Sequence, residues 1–518
     1  MSFLFDQKKL TLPEFYKGKS IFITGGSGFI GKVLIEKLLR SCPEIKNIYV
    51  LMRPKKNKSM QERVKAMFDV PLFEKLKSEN VKAIDKVLGI QGDVSELNLG
   101  LSEKDVNTLI NTVSIIFHNA ASVRFDDFLK SAILTNTRST RDIITLAKRM
   151  KSIDAFIYVS TVYCQADQDV IEEKVYPPKH DWRKAIELAE NYDEETLQVL
   201  SQKYIHPLPN TYTFTKALSE RAVFDLCENQ LPAMIMRPSI VTPTICEPIA
   251  GWVDNFNGPV ALNIIGVKGL LRILLGDTST VHNNVFVDNV AKGLAIAAWK
   301  KSTMVNPCSV EIYNLANEFK MPLSHFHEMG KTIAVKNPPD SYVMTMTDIL
   351  IVRNPTVFYF LTLLLHVLPG LMIDALLLLS GNKPRITKIY RKTYIASISL
   401  VRFNAITFRI RSENYEALQK ILMNSDKSSF TYLSTGQSIH SKVAHQGAVD
   451  MWIGVKKYLL NETPIATEAA IRKYARFVTL QRIVTLTGKF AMGFLIVTKF
   501  ILPGVTSLIT EIVADDDS

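Results

Sequence analysis

The segment YTFTK (residues 212–216) sets a tyrosine and a lysine four residues apart and runs on into ALSERAVFDLCE, a good helix former. On a helix that spacing puts Tyr212 and Lys216 on one side, one turn apart. A phenol at its ordinary pKa of about 10 is a poor acid–base group near neutrality. A neighbouring ammonium stabilises the phenolate, lowers that pKa and lets the tyrosine give and recover a proton. Such a pair works best with a further hydroxyl that helps grip the reacting oxygen, and YVSTVYC (158–164) offers Ser160 and Thr161. Thr161 is the preferred partner of Tyr212 in holding a carbonyl oxygen. A plain capping role for Thr161, or Ser160 in its place, is the alternative.

The second chemical motif is ITGGSGFIG (23–31), in which Gly25, Gly28 and Gly31 recur every three residues after an apolar run and before a helical pattern. Gly25 permits a tight turn, Gly28 lets a pyrophosphate approach the backbone, and Gly31 lets the helix pack on the strand. The helix N-terminus attracts the phosphate charge. This context implies dinucleotide binding, and with Tyr212 and Lys216 it implies a nicotinamide-dependent oxidoreductase. At the end of the second apolar run, VLMRP (50–54) carries Arg53 where a carboxylate would bind a ribose 2′-hydroxyl. A guanidinium there suits a 2′-phosphate, and Lys55, Lys56 and Lys58 deepen the positive field, so NADPH is expected. Asp93 closes the third run, within reach of the adenine. HNAA (118–121) closes the fourth with small residues that leave room for the cofactor, and His118 reads as a structural histidine.

These motifs need a scaffold. SIFIT (20–24), NIYVLM (47–52), KVLGIQGD (86–93), SIIFHNA (114–120) and FIYVS (156–160) read as buried parallel strands. Residues 32–42 and 129–150 carry apolar residues at helical spacing, as crossover helices do. The expected fold class is α/β, a Rossmann-type doubly wound parallel sheet with a smaller substrate lobe and a C-terminal, mostly helical, membrane-associated domain. The expected divisions are 1–240 for the dinucleotide and Tyr/Lys domain, 241–340 for the substrate lobe interleaved with it, and 341–518 for the C-terminal domain.

In that last part, residues 355–381 are almost wholly apolar. His366, Pro369, Gly370 and Asp374 interrupt them, so two short pieces in a helical hairpin are expected, each below the ~20 residues of a spanning helix. A buried helix pair in a soluble domain is the alternative. Residues 476–513 are apolar again, with Arg482, Lys489 and Lys499 among them, and suit attachment at a membrane interface. The acidic end ADDDS reads as a solvated tail.

With 47% hydrophobic and 22% charged residues the chain is too apolar for disorder. A net charge of +12 suits phosphate-bearing partners, but no basic run is interleaved with aromatics, so nucleic acid is not expected. Cys42, Cys164, Cys227, Cys246 and Cys308 are odd in number and scattered, which indicates neither a disulfide framework nor a metal site and fits a reducing, cytosol-facing compartment. The N-terminus, with charges directly after a short apolar start, does not read as a secretory signal.

TGGSGFIG, RP after the second strand, HNAA, VSTVY, YTFTK and RPSIV (237–241), in that order, resemble the extended short-chain dehydrogenase/reductases. GWVDNFNGP (251–259) and the apolar C-terminal half resemble one branch of them, the alcohol-forming fatty acyl-CoA reductases of animals, with an insect-like character. The resemblance spans nearly the whole chain. It implies reduction of a long-chain or very-long-chain acyl-CoA to a primary alcohol with two NADPH, through an aldehyde, in a protein held at the endoplasmic reticulum or peroxisome with its catalytic part in the cytosol. With it, the candidate cofactor contacts are Thr24, Gly25, Ser27, Gly28, Phe29, Ile30, Gly31, Arg53, Asp93, Val94, Asn119, Ala120, Lys216, Pro238, Ser239 and Ile240. The candidate catalytic residues are Tyr212, Lys216 and Thr161. A sterol or nucleotide-sugar dehydrogenase or epimerase of the same superfamily is one rival. A non-enzymatic membrane scaffold is another, although it would be expected to lose the tyrosine or the lysine. Nothing in the sequence specifies a homo-oligomer.

Overall fold

The computed structural model describes residues 10–496 except 56–57, 178–179, 257, 318, 347 and 433–440. Lys56, Lys499, Asn257 of the GWVDNFNGP motif, the first nine residues and the acidic end therefore lie outside the described residues. Seven strands form one sheet: β1 (Ser20–Thr24), β2 (Asn47–Met52), β3 (Val87–Gln91), β4 (Val113–His118), β5 (Ala155–Val159), β6 (Ala233–Pro238) and β7 (Glu311–Leu315). Their order is β3-β2-β1-β4-β5-β6-β7, and every neighbouring pair is parallel. The five expected strands are present, the first two with the expected bounds.

Two strands escaped the sequence reading. AMIMRP of β6 is a short apolar run that periodicity cannot assign to strand or helix. EIYNL of β7 carries Asn314 at a fully buried position, where its amide donates to the carbonyls of Ile171 (3.3 Å) and Arg411 (2.7 Å). Its amide N–H groups are thus satisfied, while its Oδ1 has no hydrogen-bond partner among the described residues.

Alternate residues of each strand feed two cores. Ile21 and Ile23 face a cluster shared with α1 (Phe29–Ser41) and, later in the chain, a helix at Val287–Ser302. Phe22 faces the other layer, with Ile143, Ile144 and Val223. The expected crossover helix over 129–150 is present as Leu129–Ala132, a π-turn at Ile133–Arg138 and Ser139–Ala147. The helix α2 (Thr211–Cys227) starts where the Asn210 side chain accepts the Thr213 N–H at 2.9 Å.

After β6 the chain leaves the main sheet for a three-stranded one made of Ile240–Thr242, Val281–Phe286 and Phe319–Pro322. In between, α3 (Val287–Ser302) and β7 return to the main sheet. A further two-stranded pair joins Ile273–Leu275 to Leu350–Val352.

The C-terminal part is helical, with one departure from expectation. Residues 355–379 form a single helix, α4 (Pro355–Leu379), rather than two broken pieces. The residues expected to interrupt it are its attachment points. The Arg272 N–H donates to Nε2 of His366 (3.0 Å), the His366 ring stacks on Tyr390 at 4.6 Å, and a Cβ on Gly370 would stand 2.8 Å from the Tyr390 ring. Asp374 accepts the N–H groups of Arg385, Ile386 and Thr387 (2.8–2.9 Å), capping α5 (Ile386–Ala405). Pro369 costs no break because it follows a π-turn at Leu363–Val367. The later apolar stretch is helical through its described part, in α6 (Glu468–Ile496).

Candidate active site

In an open parallel sheet ligands bind at the carboxyl ends of the strands, where the strand order reverses. Here that point lies between β1 and β4. A cleft of about 1190 Å³ opens above it, larger than the ~300–1,000 Å³ of a pocket for one small ligand. It can therefore take a dinucleotide and a second molecule.

The glycine turn has the geometry its spacing predicts. Gly25 has a φ of +70°, and a Cβ there would stand 2.7 Å from the Ala120 nitrogen. A Cβ on Gly31 would press on the Gly25 carbonyl, so Gly31 is what lets α1 pack on the turn. At Gly28 an added Cβ would meet only the Gly25 oxygen, at 3.2 Å, so the backbone is open to the cleft. No side chain caps α1 at Gly28, which leaves its first N–H groups available to a phosphate. The chain thus fits the dinucleotide its sequence implies.

Ser27, Gly28, Phe29, Ile30, Arg53, Asp93, Val94, Asn119, Ala120, Pro238, Ser239 and Ile240 all line this cleft, as do Gly25, Thr161, Tyr212 and Lys216. Thr24 and Gly31 do not. Thr24 is buried beneath the turn, its hydroxyl 2.7 Å from Nδ1 of His118 and accepting the Ala120 N–H at 3.2 Å. It acts on the cofactor site only through the backbone it holds. His118 is the structural histidine expected: it lies between Thr24 and Thr140, and burial, aided by the charge of Lys216, pushes its pKa down to about 3.

Tyr212 and Thr161 both line the cleft. Thr161 also caps the turn after β5, accepting the Tyr163 N–H (3.3 Å) and donating to the Pro238 carbonyl (3.3 Å). The capping role considered for it is therefore present, and its side chain also lines the cleft. Ser160 points elsewhere, towards Cys164 and the buried Glu220.

Lys216 behaves differently from the expectation. Its ammonium donates to the Val159 carbonyl at 2.7 Å and lies 4.7 Å from the Tyr158 ring centre. Burial raises the Tyr212 phenol above its ordinary range, the nearby Cys164 adds to this, and Thr161 opposes it. Desolvation outweighs the expected depression by the lysine. Tyr212 is therefore a protonated donor throughout the neutral range. Burial also lowers Lys216 to about 8, with Cys164 and Glu220 holding it up.

Two residues were not legible in the sequence. Arg63, on the helix Met60–Phe68, joins Arg53 at the cleft, with its Nη1 buried and without a hydrogen-bond partner. No pattern in the sequence marks it. Asn136 sits in the π-turn of the crossover helix. Its amide accepts the Ser122 N–H (2.8 Å) and donates to the Thr215 hydroxyl (2.9 Å), tying the loop after β4 to α2. An asparagine in a helical pattern carries no signal of this kind.

Residues 251–254 of the GWVDNFNGP motif lie against α1. Trp252 stacks on Phe29 at 5.5 Å, and Lys32 pairs with Asp254. Gly251, with φ +74°, lies under the backbone of Asp450 and Gly454, so the C-terminal part presses on this segment.

Comparison with known proteins accords with this geometry. Residues 23–294 match an NAD-binding domain profile described as Male sterility protein, and residues 365–462 match a second profile of that description. The bound group is accordingly a nicotinamide dinucleotide. Fatty acyl-CoA reductase 1 of Xenopus laevis is 36% identical over 463 residues, covering 89% of this chain and 88% of that protein. The Homo sapiens protein of the same name is 34% identical over 465 residues, covering 89% and 88%. Fatty acyl-CoA reductase wat of Drosophila melanogaster is 35% identical over 474 residues, covering 90% and 89%.

Among solved structures, the terminal R domain of the myxalamid PKS-NRPS pathway aligns with a TM-score of 0.56 at 18% identity, covering 86% of this chain and 93% of that one. The reductase domain of a non-ribosomal peptide synthetase from Mycobacterium tuberculosis gives 0.52 at 17%, covering 85% and 92%. At such identities these two speak for the fold alone. Family profile and relatives together place the protein: this chain belongs to the fatty acyl-CoA reductases.

Proposed function

We propose that this chain reduces a long-chain or very-long-chain acyl-CoA to the primary alcohol and free CoA, consuming two NADPH. The observation that carries the reading is one cleft holding Tyr212, Thr161 and Lys216 beside the glycine turn, with an apolar extension lined by Leu271, Leu274, Ile349 and Leu400. Each buried methylene contributes about 0.8 kcal/mol, so such an arm favours a long alkyl chain.

A dinucleotide held by its pyrophosphate at the glycine turn would supply hydride from its reduced nicotinamide. The chain's own residues do the rest. The hydroxyls of Tyr212 and Thr161 hold the substrate's carbonyl oxygen and stabilise the negative charge that develops there. When the thioester carbon has been reduced, CoA departs as the thiolate and leaves an aldehyde. The aldehyde is the better electrophile, so the same site suits a second reduction, in which Tyr212 protonates the alkoxide. Lys216, as a buried cation one turn away, stabilises the phenolate left behind. The test follows NADPH oxidation, CoA release and lipid products with palmitoyl-CoA. Two NADPH per CoA and hexadecanol support the reading, whereas cofactor binding with no turnover on any acyl-CoA overturns it.

If Lys216 acts as a cation, kcat/KM falls as pH rises through about 8, because a lowered lysine pKa means the charge is lost there. Lys216→Arg moves that fall to higher pH, and pH–rate profiles of the two proteins check it.

The preference for NADPH rests on Arg53 and Arg63 at the ribose end of the cleft. Replacing both by alanine is expected to raise KM for NADPH by about 10–100-fold, the worth of one or two charge-assisted hydrogen bonds. Steady-state kinetics with NADH, which has no 2′-phosphate, should change little.

The reading extends to place. The C-terminal half associates with an intracellular membrane, endoplasmic reticulum or peroxisome, with the catalytic part in the cytosol. Among the described residues one helix, α4, is long and apolar enough to cross a bilayer, which supports the association.

A further inference from the structure

Helix α4 is built inside out. The positions it turns to the protein, spaced every four residues, are Phe358, Thr362, His366, Gly370 and Asp374. In a water-soluble protein that stripe would be the most apolar one; here it is mostly small or polar. The opposite face carries Phe360, Leu364, Leu368, Leu371, Met372 and Leu376, each more than half exposed, with Leu376 at 66%. An apolar surface of this size on a soluble chain marks an interaction site.

What covers it can be read from the neighbouring helix. From Asp374 to Glu413 the sequence has no acidic residue between the two. Lys383, Arg385, Lys388, Arg391 and Lys392 are all exposed there, and none forms a salt bridge among the described residues. Helix α5 runs back along α4: Tyr390 packs on His366 and Gly370, at the middle of α4, and Tyr394 stacks on Phe358 near its start, at 5.7 Å. Lys388, Arg391 and Lys392 are therefore level with the centre of α4, not with its end.

We propose that α4 lies in the plane of an anionic membrane leaflet, its aliphatic face among the acyl chains and the cations of residues 383–392 among the headgroups. A spanning α4 would carry Lys388, Arg391 and Lys392 to the bilayer midplane, where a charged side chain is costly. Lying flat, the same cations meet lipid phosphates and carboxylates. A second copy of the chain fits worse, since it would bring the same cations to the contact. The strand Ile273–Leu275 packs beneath Phe358 and gives Leu274 to the cleft, so the docked face stands one layer from the apolar arm.

This inference rests on the membrane association proposed above and goes beyond it in naming the face, its orientation and the lipid charge. The test is flotation of the full chain with phosphatidylcholine vesicles, with and without phosphatidylserine. Anionic vesicles should bind far better, less so at high salt. The triple variant Lys388→Glu, Arg391→Glu, Lys392→Glu should lose on the order of 100-fold in partitioning to them. Leu364→Glu with Leu371→Glu should weaken binding to both vesicle types. Unchanged far-UV circular dichroism and Tm verify that the variants fold.

Cysteines introduced at Thr356 and Asn382, with Cys246 and Cys308 replaced by serine, should both react with an impermeant reagent outside sealed vesicles. A protected flank overturns the in-plane orientation. Binding indifferent to lipid charge and to both sets of substitutions overturns this inference while leaving membrane association through another segment intact. A dimer abolished by the leucine substitutions, without lipid binding, also overturns it. Absence of binding to any vesicle removes the broader reading as well.

Discussion

Replacing Tyr212 with phenylalanine is expected to lower kcat/KM for acyl-CoA reduction by about 10²–10⁴-fold, the usual worth of a positioned general acid. The ring and its packing remain, including the stack on Phe125 at 5.8 Å, so the fold and dinucleotide affinity should be kept. Because one tyrosine is assigned to both reductions, hexadecanal reduction should fall in parallel with palmitoyl-CoA reduction. If only the aldehyde step fell, Thr161 would be the main support of the thioester oxygen. A phenylalanine variant that kept full activity in both steps would remove Tyr212 from the mechanism. Stopped-flow turnover beside cofactor titration separates these results.

Replacing Arg237 with methionine is expected to cost about 3–5 kcal/mol of stability, the loss typical of breaking a buried ion pair. Arg237 is fully buried. It grips Glu220 through two hydrogen bonds, at 2.8 and 2.7 Å, and donates to the carbonyls of Glu172 and Lys174. Taking it away leaves the Glu220 carboxylate in a site from which water is excluded. A total stability of about 5–15 kcal/mol is usual for a domain, so the change would show as a large drop in Tm. Adding Glu220→Gln should recover part of the loss, because the uncompensated charge goes with it.

The pair also has a pH signature. Burial alone would raise Glu220, but Arg237 overrides it and holds the carboxyl below its ordinary 4.5. A carboxylate lowered on folding stabilises the protein above that ordinary value, and the stabilisation is lost as pH falls through the folded-state value. The wild type should therefore keep this contribution at pH 5 and lose it only in stronger acid. In Arg237→Met burial is left to raise the carboxyl instead, so the variant should regain part of its stability as pH falls and Glu220 takes up a proton, the opposite slope to the wild type. Since Glu220 lies one turn beyond Lys216 on α2, the same substitution should also disturb Lys216.

Much of this protein could be read before its fold was known. The glycine spacing, the strands β1 to β5 and the Tyr212–Lys216 interval are local patterns. A period of two or of 3.6 residues places side chains on a face whatever the rest of the chain does. The Gly25 turn is equally local, because its positive φ is a property of one residue's backbone. The substrate class was legible only through resemblance, carried by motif order and by GWVDNFNGP.

What the sequence alone left open depended on contacts between distant segments. Ser160 and Thr161 differ in role because their neighbours, Glu220 for one and Pro238 for the other, lie far along the chain. The charge state of Tyr212 turned on burial, which no spacing reveals. His366 and Asp374 looked like helix breakers because a polar group in an apolar run is costly unless it is partnered. Their partners, the Arg272 backbone and the N-terminus of α5, exist only in the folded chain. Sequence alone determined which residues share a face; tertiary structure decided which faces meet, and with that the protonation, the pairing and the exposed surface on which function depends.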